Sequence, residues 1–174
     1  MTPALAARLW LIVPLALVLA PHAWRLPPWL SLVWAVFALL SLYGAAKHRQ
    51  PVGRAMKMLL TLAGVAGVVL QFGTLIGPSG GVALLAFLSG AKLLEVEGER
   101  DRIGLLFIGL FLLVAHFLDA QSLVTAAYMM LAGVAVVAGL IATQTPNAEL
   151  AAAAKRNLTL AGQMLAQALP LAIL

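Results

Sequence analysis

Apolar residues run along this chain in long blocks that are unbroken around every helical face, with polar residues confined to the short stretches between them. A soluble helix shows one apolar stripe with a 3.6-residue period and a half-buried strand alternates, so blocks apolar all round point to lipid outside and helix neighbours inside. A hydrocarbon core about 30 Å thick takes about 20 helical residues. Seven blocks meet or approach that length: Ala4 to Ala20, Trp29 to Ala46, Met58 to Ile76, Gly81 to Leu94, Ile103 to Leu118, Leu123 to Thr143, and Leu158 to the end. Each is read as a helix, because an open strand or loop in lipid leaves backbone groups unpaired at several kcal/mol each. The pattern therefore predicts an all-α, polytopic transmembrane bundle of about seven helices, forming one domain over residues 1–174. The fourth block is short. It must borrow interfacial length or sit where the bilayer thins.

The polar stretches "PHAWRLPPW", "KHRQPVGR", "GPSGG", "EVEGERDR", "DAQS" and "TQTPNAELAAAAKR" form the connections. Trp24, Trp29 and Trp34 cluster at the first, as interfacial aromatics do. Short loops rich in Lys and Arg stay in the cytoplasm. With the N-terminus cytoplasmic, the inner side receives Arg8, Lys47, Arg49, Arg54, Lys57, Lys92, Arg100, Arg102, Lys155 and Arg156, and the outer side Arg25 alone. If the fourth block did not cross, five cations would lie inside and six outside, and the bias would vanish. The block is therefore read as crossing.

Composition agrees: 63% hydrophobic, 10% charged and a mean hydropathy of +1.04, against roughly 45–50% apolar and 25% charged in soluble domains. The net charge of +5 lies at block ends and not on a basic helix face, so the expected partner is the lipid bilayer and not nucleic acid. With no cysteine, the chain holds no disulfide, thiolate metal site or cysteine nucleophile. Arg8 followed by Leu9 to Ala20 resembles a signal peptide, but Pro21 follows the one plausible cleavage point, so the block is read as an uncleaved first helix. The last block holds Gln163, Gln167 and Pro170 and stops at Leu174 within an apolar run, as a truncated helix would. Any downstream segment is expected on the outer face.

Candidate chemistry is sparse. "GPSGG", Gly77 to Gly81, satisfies both the G-x-S-x-G of a nucleophile elbow and the G-x-S-G that looks like the motif of rhomboid intramembrane proteases. The elbow needs a strand before it, and none is predicted. For the rhomboid alternative, Ser79 and His116 fall toward the same outer face and Trp24–Arg25 is similar to that family's first loop, but the paired oxyanion residues are missing. The plain reading is a Gly/Pro turn. His116 is one histidine without ligands at i±3 or i±4 and is read as packed, while His22 and His48 are read as interfacial loop residues. A small-solute transporter, a second alternative, calls for ionisable groups near the midplane, and those here lie at or near block ends. Ser41, Thr61, Gln71, Ser89, Thr125 and Gln163 suit hydrogen bonds between helices. Gly64, Gly67, Gly104, Gly109 and Gly133 suit close packing. No catalytic, cofactor-binding or metal-binding residue is assigned.

"AKLLEVEGERDR", Ala91 to Arg102, holds four of the six acids. Lys92 is placed to snorkel toward the inner headgroups and to complement the negative end of its helix. Gly98 permits the reversal, Asp101 caps the next helix, and Arg100 and Arg102 hold the inner side. Glu95, Glu97 and Glu99 are left without a topological role.

These residues carry a resemblance. "GVALL" at Gly81, "KLLE" at Lys92 to Glu95, "RD" at Arg100 and Asp101, "FLL" at Phe111, "FL" at Phe117 and "QS" at Gln121 are, in order and spacing, similar to the N-terminal membrane domain of bacterial TgpA-type transglutaminase-like proteins. "LAGQMLAQALPLAIL" looks like that family's last helix before its outer domain. The resemblance implies a multi-pass bacterial inner-membrane protein whose full-length relatives carry a periplasmic transglutaminase-like domain with a Cys, His and Asp triad. No member of that triad maps onto a residue here. The expected role is therefore a membrane anchor that orients the parent's periplasmic domain, with no catalysis in this chain and Gly81, Lys92, Glu95, Arg100, Asp101 and Gln121 as its family positions.

Overall fold

The computed structural model describes residues 2–47, 52–75, 77–119, 122–145, 149 and 152–173. Seven helices follow in order: α1 (Pro3–Leu19), a 3-10 turn (Ala20–Trp24), α2 (Pro28–Lys47), α3 (Arg54–Phe72), α4 (Pro78–Leu93), α5 (Glu99–Asp119), α6 (Leu123–Thr143) and α7 (Ala154–Ile173). Among the described residues there is no strand, so the all-α reading and the seven helices hold.

Local chemistry sets the starts and stops. Thr2 caps α1, its hydroxyl accepting from the Leu5 N–H at 3.3 Å, and Pro3 stands at the first position, where its missing N–H costs nothing. Ser122 caps α6 in the same way through the Thr125 N–H. The third helix stops at Phe72, four residues short of the predicted Ile76, because Gly73 takes the left-handed conformation (φ 70°) that ends helices. Helices α3, α5 and α7 begin four residues before their apolar blocks, at Arg54, Glu99 and Ala154. A helix does not stop where its apolar run does; the polar first turn simply reaches beyond it.

Cross-contacts show that successive helices alternate in direction. Arg8 near the start of α1 and Ser41 late in α2 both meet the Leu93 carbonyl at the end of α4, at 2.9 Å each. Gln144, after α6, meets Glu99 at the start of α5. These groups share one end of the bundle, and by the same alternation Lys47, Arg54, Lys57, Lys92, Arg100, Arg102, Lys155 and Arg156 lie there too. At the other end His22 meets α5 through Leu112 and His116. The fourth helix thus runs from one end to the other, in 16 residues where the apolar block suggested fewer. Half of these, including Ala83, Ala86, Phe87 and Gly90, are buried against α2, α3 and α5. Protein neighbours cover half of this short helix.

The main core joins Leu11, Leu15 and Val18 of α1 to Leu105, Leu106 and Leu112 of α5 and Val136 of α6. The outer surface is also apolar: Leu70 is 87% exposed and Leu131 70%. Four helical stretches among the described residues, Pro3–Trp24, α2, α3 and α6, are long and apolar enough to cross a membrane.

Two prolines in α1 and the turn after it leave carbonyls without their usual helical donors, and α6 packs against both, supplying a donor to one. Pro21 has no N–H for the Leu17 carbonyl, which instead accepts from the Tyr128 hydroxyl at 2.6 Å. Pro14 has none for the Trp10 carbonyl, and α6 approaches that oxygen so closely at Gly139 that a Cβ would stand 3.0 Å from it. Of the glycines expected at close contacts, Gly64 lies under the Phe87 ring and Gly109 against Leu15, while Gly67 and Gly133 make ordinary contacts. Gly104 faces open space, which corrects that expectation, because it lies on an exposed side of α5. Gly90 adds a close contact absent from that set; a Cβ there would meet Trp34 at 2.9 Å and Phe37 at 3.2 Å.

Candidate functional site

The charged turn between α4 and α5 is built from both helix ends. The α5 start is capped backward: the Asp101 carboxylate accepts from the backbone N–H groups of Glu97 at 3.3 Å and Gly98 at 3.5 Å. This is the reciprocal half of a capping box, in which a third-position acid reaches the residues ahead of its helix. The other Asp101 oxygen takes Lys92 Nζ at 2.9 Å, and Glu95 stands 3.9 Å from the same amine. The Lys92 amine is thus drawn across the turn onto Asp101. Asp101 keeps its capping role, but from inside the first turn.

The Lys92 ammonium, then the backbone N–H groups, hold the Asp101 carboxyl below the usual carboxylate range. A lowered folded-state pKa contributes stability that is present above the unfolded value of about 3.9 and is lost as pH falls through the folded one. The pair is about one-third exposed, so its worth is at most about 1 kcal/mol. Acid titration of unfolding in detergent should show a loss of stability below about pH 4 that Asp101→Asn flattens.

Arg8 completes the turn. Its guanidinium donates to the Leu93 carbonyl at 2.9 Å and the Val96 carbonyl at 2.6 Å, meeting the negative end of α4 with a planar fork. Ser41 adds a second side-chain donor at Leu93. Glu99, unexplained by topology, accepts from the Gln144 amide at 2.6 Å and ties α5 to α6. Glu95, Glu97 and Arg100 are exposed. Chemically this is a clasp of matched donors and acceptors joining α1, α2, α4, α5 and the end of α6.

Gly81 lies at the opposite end, its N–H donating to the Gly77 carbonyl at 2.8 Å. Eleven residues of α4 separate it from Lys92, about 16 Å along the axis. Lys92, Glu95 and Asp101 are therefore gathered, with Arg100 exposed on the same turn, and Gly81 is not among them. Gln121 and His48 lie outside the described residues. Of the polar groups expected to bridge helices, Ser41 and Ser89 do, Ser89 accepting from Trp34 Nε1 at 3.0 Å. Thr61 instead bonds its own helix at the Lys57 carbonyl.

At the far end His22 corrects its reading as an interfacial loop residue. It lies in the 3-10 turn, is 2% exposed, and its Nε2–H donates to the Leu112 carbonyl at 3.1 Å. Its ring meets the His116 ring edge-on with centroids 4.9 Å apart, which agrees with the reading of His116 as packed. Pro21 stands at the second position of the 3-10 turn, and His22 beside it is buried. Ser79 stands in the first turn of α4 and lines a cavity with His22 and Arg25. Among the described residues no group of three His, Cys, Asp or Glu is placed to hold a metal ion.

Sequence reasoning missed Arg8 as a structural residue, counting it only among topology cations. One signal was present: Arg8 lies more than a turn inside its apolar block, where a charge needs partners.

Residues 10–174 match the family model described as the TgpA N-terminal domain. The chain is 35% identical over 169 residues to a Pseudomonas aeruginosa protein named protein-glutamine gamma-glutamyltransferase, covering 97% of this chain and 25% of that protein. It thus spans about a quarter of the curated relative it matches. No solved structure matches.

Proposed function

The chain belongs to the TgpA N-terminal domain family, and from that premise we propose that it is a multi-pass inner-membrane anchor that holds a transglutaminase-like domain on the outer face and carries no catalysis itself. The observation that carries this reading is the charge asymmetry. Nine of the cations in the described residues lie at the end shared by Arg8, Leu93 and Asp101, and Arg25 lies at the other. By the positive-inside rule the basic end is cytoplasmic. With alternating helices the end of α7 then lies outside, where an appended domain would be periplasmic. The relative's printed activity supports the choice of domain. The chain has no cysteine, so in this reading any cysteine chemistry would belong to the appended domain. The clasp at the α4–α5 turn serves this role mechanically, fixing the inner ends of α1, α2, α4 and α5 so that the bundle presents its outer end in one geometry.

Alkaline phosphatase fusions test the orientation. A fusion after Gly98 is expected to be inactive and one after Leu174 active; activity after Gly98 would overturn the reading.

A further inference from the structure

Helix α7 carries a polar face that the anchoring role does not use. The helix is 20 residues long, yet it is not among the four described stretches that are apolar enough to cross a membrane. Its inner line, Asn157, Ala161 and Leu165, repeats every four residues and packs on α6: Asn157 and Ala161 are fully buried, and Leu165 comes within 3.8 Å of the Cβ position of Gly133. Gly133 is the middle residue of α6, so Leu165 marks the midplane of the bundle. Gln163 and Gln167 each lie two residues from Leu165, about 200° around the helix and about 3 Å along it, and so face away from α6 near that same depth. Both are exposed, and among the described residues neither amide has a hydrogen-bond partner. Thr159, Gly162 and Ala166 complete the face, which keeps the i, i+3, i+4, i+7, i+8 spacing of one helical side.

We propose that this face binds the same face of a second copy of the chain. The inference rests on the reading of α7 as a membrane helix. Hydrocarbon offers an amide neither donor nor acceptor, so two glutamines near the midplane call for a polar partner. A primary amide carries two N–H donors and a carbonyl acceptor, so it complements another copy of itself. No ionised partner is called for, because no charged residue lies between Thr159 and Gln167. Two copies inserted in the same orientation run their α7 helices parallel about a two-fold axis normal to the membrane, which brings each glutamine to its own counterpart. Gly162 and Ala166, four residues apart, let the two backbones come close, as small residues do between membrane helices, and nothing in the chain stands within 4 Å of the Gly162 Cβ position. The helix is placed for this contact, since it stands at the edge of the bundle with α6 as its main neighbour.

The test places a single cysteine on the full chain, which has none of its own, and treats carbonate-washed membranes with copper phenanthroline. Retention in the washed membranes checks the membrane reading and cross-linking checks the pairing, so the two fail separately. Ala166→Cys, on the face, is expected to give a disulfide-linked dimer, and Leu70→Cys, 87% exposed on α3, is not. Adding Gln163→Leu and Gln167→Leu to Ala166→Cys should cut the dimer about fivefold or more, since the hydrogen bonds between the helices are then lost. Gel filtration in detergent reports folding, and if the leucine variant fails to fold, the comparison of the two cysteines decides. A dimer yield from Ala166→Cys no higher than from Leu70→Cys, a link to a different protein in place of the dimer, a yield unchanged within twofold by the two leucines, or loss of the chain from the washed membranes would overturn the proposal.

Discussion

Replacing Arg8 with methionine is expected to destabilise the protein by about 2–3 kcal/mol, measured by unfolding in mixed detergent and SDS. The guanidinium makes two short, charge-assisted bonds to carbonyls at the end of α4, and bonds to charged groups contribute about 1.5–3 kcal/mol each. The Val96 carbonyl would lose this donor outright, while Leu93 would keep the Ser41 hydroxyl. That sharing gives a second expectation. Because Arg8 and Ser41 act on one oxygen, the double variant Arg8→Met with Ser41→Ala should lose more than the sum of the single losses. Lysine should restore only part of the stability, because an ammonium on a flexible stem does not reproduce the fork that spans Leu93 and Val96. A methionine variant as stable as the parent would mean that the clasp contributes nothing.

Gly90→Leu is the other large effect, with an expected cost of about 1–3 kcal/mol or failure to fold, from overpacking. The new side chain has no free rotamer toward α2, since Trp34 and Phe37 already stand within 3.2 Å of the Cβ position, and the Trp34 backbone at 3.4 Å limits how far they yield. Displacing Trp34 should also break its bond to Ser89, which a change in indole fluorescence would report. Gly104→Leu is the matched control. Nothing stands near its Cβ position, and leucine is the better helix former, so stability should hold or rise slightly.

Helix number was legible because a long block that is apolar all round has few solutions besides a helix, and the seven blocks became seven helices, although four stretches among the described residues are long and apolar enough to cross a membrane. The gathering of positive charge at one end was legible for the same reason, since alternation follows from the count. The individual contacts were not. Arg8 and Leu93 are 85 residues apart, and no periodicity in either helix announces that one caps the other. His22 sits in a stretch whose prolines and tryptophan read as a surface loop, yet the 3-10 turn drives its ring into the bundle against His116. Gly104 and Gly90 look alike in sequence, and only the helix rotation decides that one meets open space and the other Trp34. The turn itself was half legible. Its aspartate took the capping role expected, while Lys92 turned onto Asp101, Gly98 shows neither a positive φ nor a close contact that calls for glycine, and Glu99 found its partner in Gln144, 45 residues on.

The orientation of the bundle is the central claim, and the absence of cysteine makes it directly measurable, because a single introduced thiol has no background. Glu97→Cys and Trp24→Cys place an exposed thiol at the basic end and the far end respectively. In intact cells a membrane-impermeant maleimide is expected to label Trp24→Cys and to spare Glu97→Cys until the cells are broken open; labelling of Glu97→Cys in intact cells, with Trp24→Cys protected, would contradict the account.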